Sequence, residues 1–240
     1  MKNKVLLLLI ALVSVFGSCK ESTKNDRQVE NPMGKSVEIK NNTVIKIACV
    51  GNSITEGAGI AEPSKNAYPA QLQHRLGSEY EVKNFGVGGR TLLRKGDFPY
   101  WEETAFQDAK DYQPDVVVIL LGTNDSKPQN WQYSQEFVKD YKIFIDEFQT
   151  LNSRPEIFIC KPLPSFPHDG QINGKVIKNE IHPMIETIAS SKEIEIIDLY
   201  TPFEDKRILL PDAVHPNKEG AGLIAEQVKT HILKWIDSQN

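Results

Sequence analysis

The chain has 240 residues, 40% hydrophobic and 25% charged, with 32 acidic against 28 basic side chains, a net charge of −4. That length and mix suit one globular domain with an ordinary core, and no linker-like stretch divides it in two. The acidic balance is a poor match for nucleic acid.

In chain order, Met1-Lys2-Asn3-Lys4 is basic, Val5 to Phe16 is almost wholly apolar, and Gly17-Ser18-Cys19 closes the stretch with small residues. Residues 1–19 therefore read as a secretory signal, too short to span a membrane comfortably. Residues 20–43 are polar without hydrophobic periodicity and read as a flexible tether. Losing residues 1–19 removes Lys2 and Lys4 and no acid, leaving 26 basic against 32 acidic side chains, a net charge of −6.

From residue 44 to 240 the pattern is that of a domain. Apolar strand-like runs at 44–50, 81–85, 115–121, 156–160 and 194–199 alternate with helical stripes at 66–77, 132–150, 177–191 and 217–236. This rhythm predicts an α/β fold: a three-layer αβα sandwich around a mainly parallel five-stranded sheet, flavodoxin-like in outline. Val116 to Leu121 is apolar at every position, as expected of a central strand covered on both faces. Residues 161–176 are rich in Pro and Gly and too long for an ordinary connection, so they are expected to serve the site. Cys49 and Cys160 each lie in a strand-like run and read as buried free thiols, since a disulfide would need their strands side by side.

Four short blocks follow these strands: Gly51-Asn52-Ser53-Ile54-Thr55, Asn84-Phe85-Gly86-Val87-Gly88-Gly89, Gly122-Thr123-Asn124-Asp125 and, near the end, Asp212-Ala213-Val214-His215-Pro216. A serine at the carboxyl end of a first buried strand stands where open α/β sheets keep their chemistry. Its hydroxyl is a weak nucleophile until a base removes the proton, and His215 is the candidate base. Asp212, three residues earlier, can reach the other ring nitrogen through a short turn and fix the tautomer. Thr55 stands where the Gly-x-Ser-x-Gly elbow of α/β-hydrolases has its second glycine, which argues against that fold. Taken alone, His215 would be an ordinary surface histidine in a proline turn, with Asn217 capping the last helix.

In these four blocks, in this order, the chain resembles the SGNH (GDSL-type) hydrolases, a likeness covering roughly residues 44–235. The resemblance implies Ser53, Asp212 and His215 as catalytic residues, and an oxyanion hole made by the backbone N–H groups of Ser53 and Gly89 and the side-chain amide of Asn124. Gly88, next to Gly89, is an alternative for the middle donor. Asn52 departs from the family's more frequent aspartate, which alters a supporting hydrogen bond and leaves the nucleophile untouched. Asp125 is expected to support its loop. Cys19 resembles the lipidated cysteine of a bacterial lipobox, although Phe16 stands where leucine is usual. An exported, membrane-anchored lipoprotein, periplasmic or on the cell surface, follows as an expectation.

Substrate contacts are assigned to Arg90, Lys127, Asn130 and Trp131, which follow the second and third blocks; each reads equally well as ordinary surface. Tyr100-Trp101 offers an aromatic platform for a sugar or a packed pair. With no His-Glu-x-x-His and no Cys-x-x-Cys, neither metal nor cofactor is expected. Within the family, an exported chain of this size most resembles carbohydrate O-acetylesterases, implying acylated small molecules or polysaccharides as substrate. The alternatives are a lysophospholipase- or thioesterase-type acyl hydrolase, and a non-catalytic glycan-binding protein on the same scaffold.

Overall fold

The computed structural model describes residues 44–168 and 170–239. The readings placed on residues 1–19, Cys19 among them, and on 20–43 lie outside the described residues. The five strands are β1 (Ile45–Gly51), β2 (Tyr80–Gly86), β3 (Val116–Leu120), β4 (Glu156–Lys161) and β5 (Glu195–Asp198). They form one sheet in the order β2-β1-β3-β4-β5, and all four pairings are parallel.

Strand residues point alternately to the two faces, and the two cores follow that alternation. Ala48, Val50, Val117, Ile119, Ile157 and Ile159 pack on one side, beneath the helices α2 (Thr104–Asp111), α3 (Phe137–Gln149) and α4 (His182–Lys192). Ile47, Cys49, Val116, Val118, Phe158 and Cys160 pack on the other, against α1 (Tyr68–Leu76) and α5 (Lys218–Ser238). The result is the expected three-layer sandwich, its central β3 wholly buried.

Two local features differ from the sequence reading. Helix α2 was not anticipated, because its eight residues bury only Phe106 and Ala109 and carry too short a stripe to register. The stripe at 177–191 is two pieces, a π-helical turn at Ile177–Ile181 followed by α4. Pro183 near the start of α4 supplies no backbone N–H, and a widened turn accommodates that loss.

Strand order also positions the site. From β1 the chain runs outward to β2, then crosses back to place β3 on the other side of β1. The loops leaving β1 and β3 therefore diverge at their carboxyl ends, and the crevice between them is where ligands bind in such sheets.

Candidate active site

Ser53 opens a four-residue helix, Ser53–Glu56, immediately after β1. Asn52 caps it, its Oδ1 accepting from the Ile54 N–H at 3.0 Å. Gly51 has no substitute, because a Cβ there would meet Thr55 Oγ1 at 2.1 Å and the Leu120 carbonyl at 2.7 Å. Asn52 is fully buried, and among the described residues its Nδ2 has no hydrogen-bond partner.

The Ser53 hydroxyl lies 2.8 Å from His215 Nε2, and His215 Nδ1 lies 2.6 Å from Asp212 Oδ2. The other oxygen of Asp212 accepts from the backbone N–H groups of Val214 (2.9 Å) and His215 (2.7 Å), so the turn and the ring are fixed by one carboxylate. Burial alone would raise the Asp212 pKa; the His215 N–H and ring and the Val214 N–H outweigh it and hold the carboxyl below its usual value. Ala213, between them, is buried and takes a φ of +78°, a conformation unusual for a residue with a side chain. Its N–H donates to the Leu210 carbonyl at 2.8 Å, and its carbonyl accepts from Phe166 at 3.0 Å. Both of its backbone groups are thereby held. Asn217 accepts from Gly220 at 2.9 Å and starts α5 just beyond the histidine.

The second and third blocks converge on the serine. A Cβ at Gly88 would stand 3.8 Å from Ser53 Cβ and 2.7 Å from the Glu56 carboxylate, so the backbone passes close by. Gly89 has a φ of +79°, which a residue with a side chain rarely adopts. Asn124 is buried, and its Nδ2 donates to the Arg90 carbonyl at 3.0 Å. Asp125 is fully buried and accepts from the N–H groups of Leu92 (3.0 Å) and Leu93 (2.7 Å). Asp140, on α3, accepts from Arg94 at 3.0 Å. The segment from Arg90 to Arg94 is thus pinned from one side by Asn124, Asp125 and Asp140, and Asp140 did not announce itself as part of this network in the sequence.

The four residues assigned to substrate contact are engaged within the protein. Arg90 donates to Glu103 at 2.7 Å and to the Gly88 carbonyl at 2.6 Å. Lys127 pairs with Asp97 at 3.5 Å. Asn130 is fully buried: its amide donates to Asp97 Oδ1 and the Asn124 carbonyl, both at 2.9 Å, and its oxygen accepts from the Asp97 N–H at 2.8 Å. With both amide hydrogens and the amide oxygen engaged, Asn130 braces the Asn124 loop. Trp131 donates to Glu180 at 2.7 Å and packs edge-on against Phe137. Tyr100 and Trp101 are packed with Phe106 and Phe144.

The long loop after β4 spans the site from one wall to the other. Phe166 joins it to Ala213 beside the histidine, and Asn173 donates to Ser126 Oγ at 3.0 Å beside the Asn124 block. His182 is buried against Tyr200 and the Pro162 carbonyl, and burial lowers its pKa; His231 bonds Glu195 at 2.7 Å. Among the described residues no group of three or more His, Cys, Asp or Glu side chains is placed to hold a metal ion.

A parallel five-stranded α/β sheet carrying these four blocks at its carboxyl edge is the architecture of the SGNH hydrolases. The chain belongs to the GDSL-like lipase/acylhydrolase family, which matches it over residues 49–223. It is 43% identical over 216 residues to an acetylxylan esterase of Xylanibacter ruminicola, a match covering 82% of this chain and 45% of that protein. The chain thus spans less than half the length of that relative. Among solved structures it resembles a carbohydrate acetylesterase of Sinorhizobium meliloti (TM-score 0.67, 18% identity, 80% of this chain and 99% of that one). It also resembles the aryl esterase of M. smegmatis (TM-score 0.60, 20% identity, 78% and 99%).

Proposed function

We propose that the protein is a serine esterase that removes O-acetyl groups from carbohydrates. The observation that carries this reading is the row Ser53–His215–Asp212, joined at 2.8 and 2.6 Å, facing the Gly89 and Asn124 loops. The 43% identity to an acetylxylan esterase supports the choice of acyl group and alcohol.

His215 Nε2 takes the hydroxyl proton as Ser53 Oγ attacks the ester carbonyl, while Asp212 holds the opposite N–H and stabilises the imidazolium. The tetrahedral oxyanion meets the N–H groups of Ser53 and Gly89 and the free amide hydrogen of Asn124. His215 then gives that proton to the departing sugar oxygen as its bond to the acyl carbon breaks, releasing the sugar hydroxyl and leaving an acetyl-enzyme. Water, activated by the same imidazole, releases acetate and restores Ser53.

The test is acetate release from a panel of acetylated polysaccharides by wild type and Ser53→Ala. Release by wild type, falling roughly 10⁴-fold or more in the variant, is the expected result. Turnover of lysophospholipids or acyl thioesters in its place would move the protein to another branch of the family. Glycan binding without turnover, unchanged by Ser53→Ala, would make it a binding protein. Export with lipid attachment at Cys19 is part of the same reading, supported by the basic, apolar and small-residue order of residues 1–19. Fractionation of cells carrying Cys19→Ser should find the protein released from the membrane, and an unchanged distribution would refute the anchor.

A further inference from the structure

The loop between β2 and α2 leaves one aromatic ring in solvent. Phe98 is 56% exposed, whereas Tyr100, two residues on, is fully buried. An exposed ring is unremarkable on a loose loop, but this one is held on both sides. The Asp97 N–H donates to Asn130 Oδ1 at 2.8 Å, the Phe98 carbonyl accepts from Thr91 at 2.9 Å, and the Tyr100 N–H returns to the Thr91 carbonyl at 2.9 Å. Thr91 and Pro99 form an isolated parallel bridge beneath it. The ring is therefore presented by fixed backbone, so little order has to be gained when a ligand covers it.

Its position ties it to the site. The Arg90 guanidinium lies over the ring, 5.6 Å from the centroid, and also donates to the Gly88 carbonyl at 2.6 Å. Gly88 lies beside the Ser53 side chain, a Cβ there standing 3.8 Å from Ser53 Cβ. Phe98, Arg90, Gly88 and Ser53 thus form one continuous rim. Glu103 holds the Arg90 charge at 2.7 Å, so what the rim offers a ligand is a ring face with no free cation at Arg90.

The surroundings select the occupant. A lipid chain requires a continuous apolar groove, and a stable protein partner requires a broad patch. Phe98 is a single ring with the Arg90 guanidinium over it and Asp97 as its chain neighbour. A pyranose suits such a place: its C–H face covers the ring while its hydroxyls stay solvated or meet the neighbouring charges.

We propose that Phe98 is a sugar-stacking subsite, binding a pyranose of an acetylated polysaccharide next to the residue that loses its acetyl group. The inference rests on the esterase reading above and names the polymer as its substrate. Kinetics on acetylated xylan and on 4-nitrophenyl acetate, for wild type, Phe98→Ala and Phe98→Trp, test it. The expected result for Phe98→Ala is a fall on the order of tenfold in the ratio of polymer to small-ester kcat/KM, carried by KM, with Phe98→Trp near wild type. A parallel fall on both substrates would mean that Phe98 only positions the loop, and an unchanged ratio would mean that it does not meet the sugar; either overturns the proposal. If wild type hydrolyses 4-nitrophenyl acetate but releases no acetate from the polymer, the carbohydrate reading fails and takes this subsite with it.

Discussion

Asp125 accepts two backbone N–H groups from the loop that carries Gly89, while its neighbour Asn124 donates to Arg90 in the same loop. Burial pushes its carboxyl from 3.8 up to about 6, the N–H bonds from Leu93 and Leu92 offsetting only part of that. A raised folded pKa means that the native state binds the proton first. Its stabilising contribution is complete below the unfolded value and is lost as pH rises through about 6. From pH 7 down to 4 wild type should gain on the order of 2 kcal/mol relative to Asp125→Asn, read as a pH-dependent change in the Tm difference between the two. A constant difference would place the titration elsewhere. Asp212 acts in the opposite sense: its lowered pKa adds stability above about 3.8, lost as the pH falls further. The sequence marked Asp125 as a support, but its partners were not legible, because Leu92 and Leu93 lie more than thirty positions away and offer only backbone.

At the scale of elements, α3 is the helix on which the aromatic core depends. Phe144 is fully buried, stacked on Phe106 at 5.0 Å and edge-on to Trp101 at 4.9 Å, Phe148 at 5.6 Å and Tyr100 at 5.9 Å. Phe144→Ala should cost about 3–5 kcal/mol, since four rigid rings cannot collapse into the space left behind. Urea unfolding measures it, and a loss below 1 kcal/mol would mean that the cluster repacks. The same cluster explains what the sequence reading missed in α2. Phe106 and Ala109 form half a stripe in isolation, and the rings of α3 complete it only in three dimensions. The Tyr100-Trp101 pair is absorbed by the same packing, with Trp101 donating to the Leu92 carbonyl at 2.6 Å and so helping to hold the pinned loop.

Across the whole molecule, sheet order separates two cysteines that sequence alone could only suspect of being apart. Cys49 on β1 and Cys160 on β4 have β3 between them; both are free and fully buried. Burial pushes the Cys49 thiol up to about 12 and that of Cys160 still higher, so neither forms thiolate near neutrality. Both should resist iodoacetamide in the native protein and react at a rate set by unfolding, followed by mass spectrometry against denaturant. Rapid native labelling of either would contradict the layered core.

Strand and helix periodicity, the buried β3 and the four blocks were written in the chain, because hydrophobic period and backbone chemistry are local and survive in one dimension. The α/β class and the candidates Ser53, Asp212 and His215 came from that local record, and the resemblance of the four blocks to the SGNH hydrolases added Gly89 and Asn124. Which side chains serve the fold and which face the site did not. Arg90, Lys127, Asn130 and Trp131 look alike in sequence, and only the tertiary structure shows each bound to Glu103, Asp97, Asn124 and Glu180. Phe98 was passed over for Tyr100 and Trp101 for the same reason. Exposure and partnership depend on which segments the fold brings together, and pairs such as Lys127–Asp97 and Trp131–Glu180 are too far apart in the chain to leave a periodic trace of meeting.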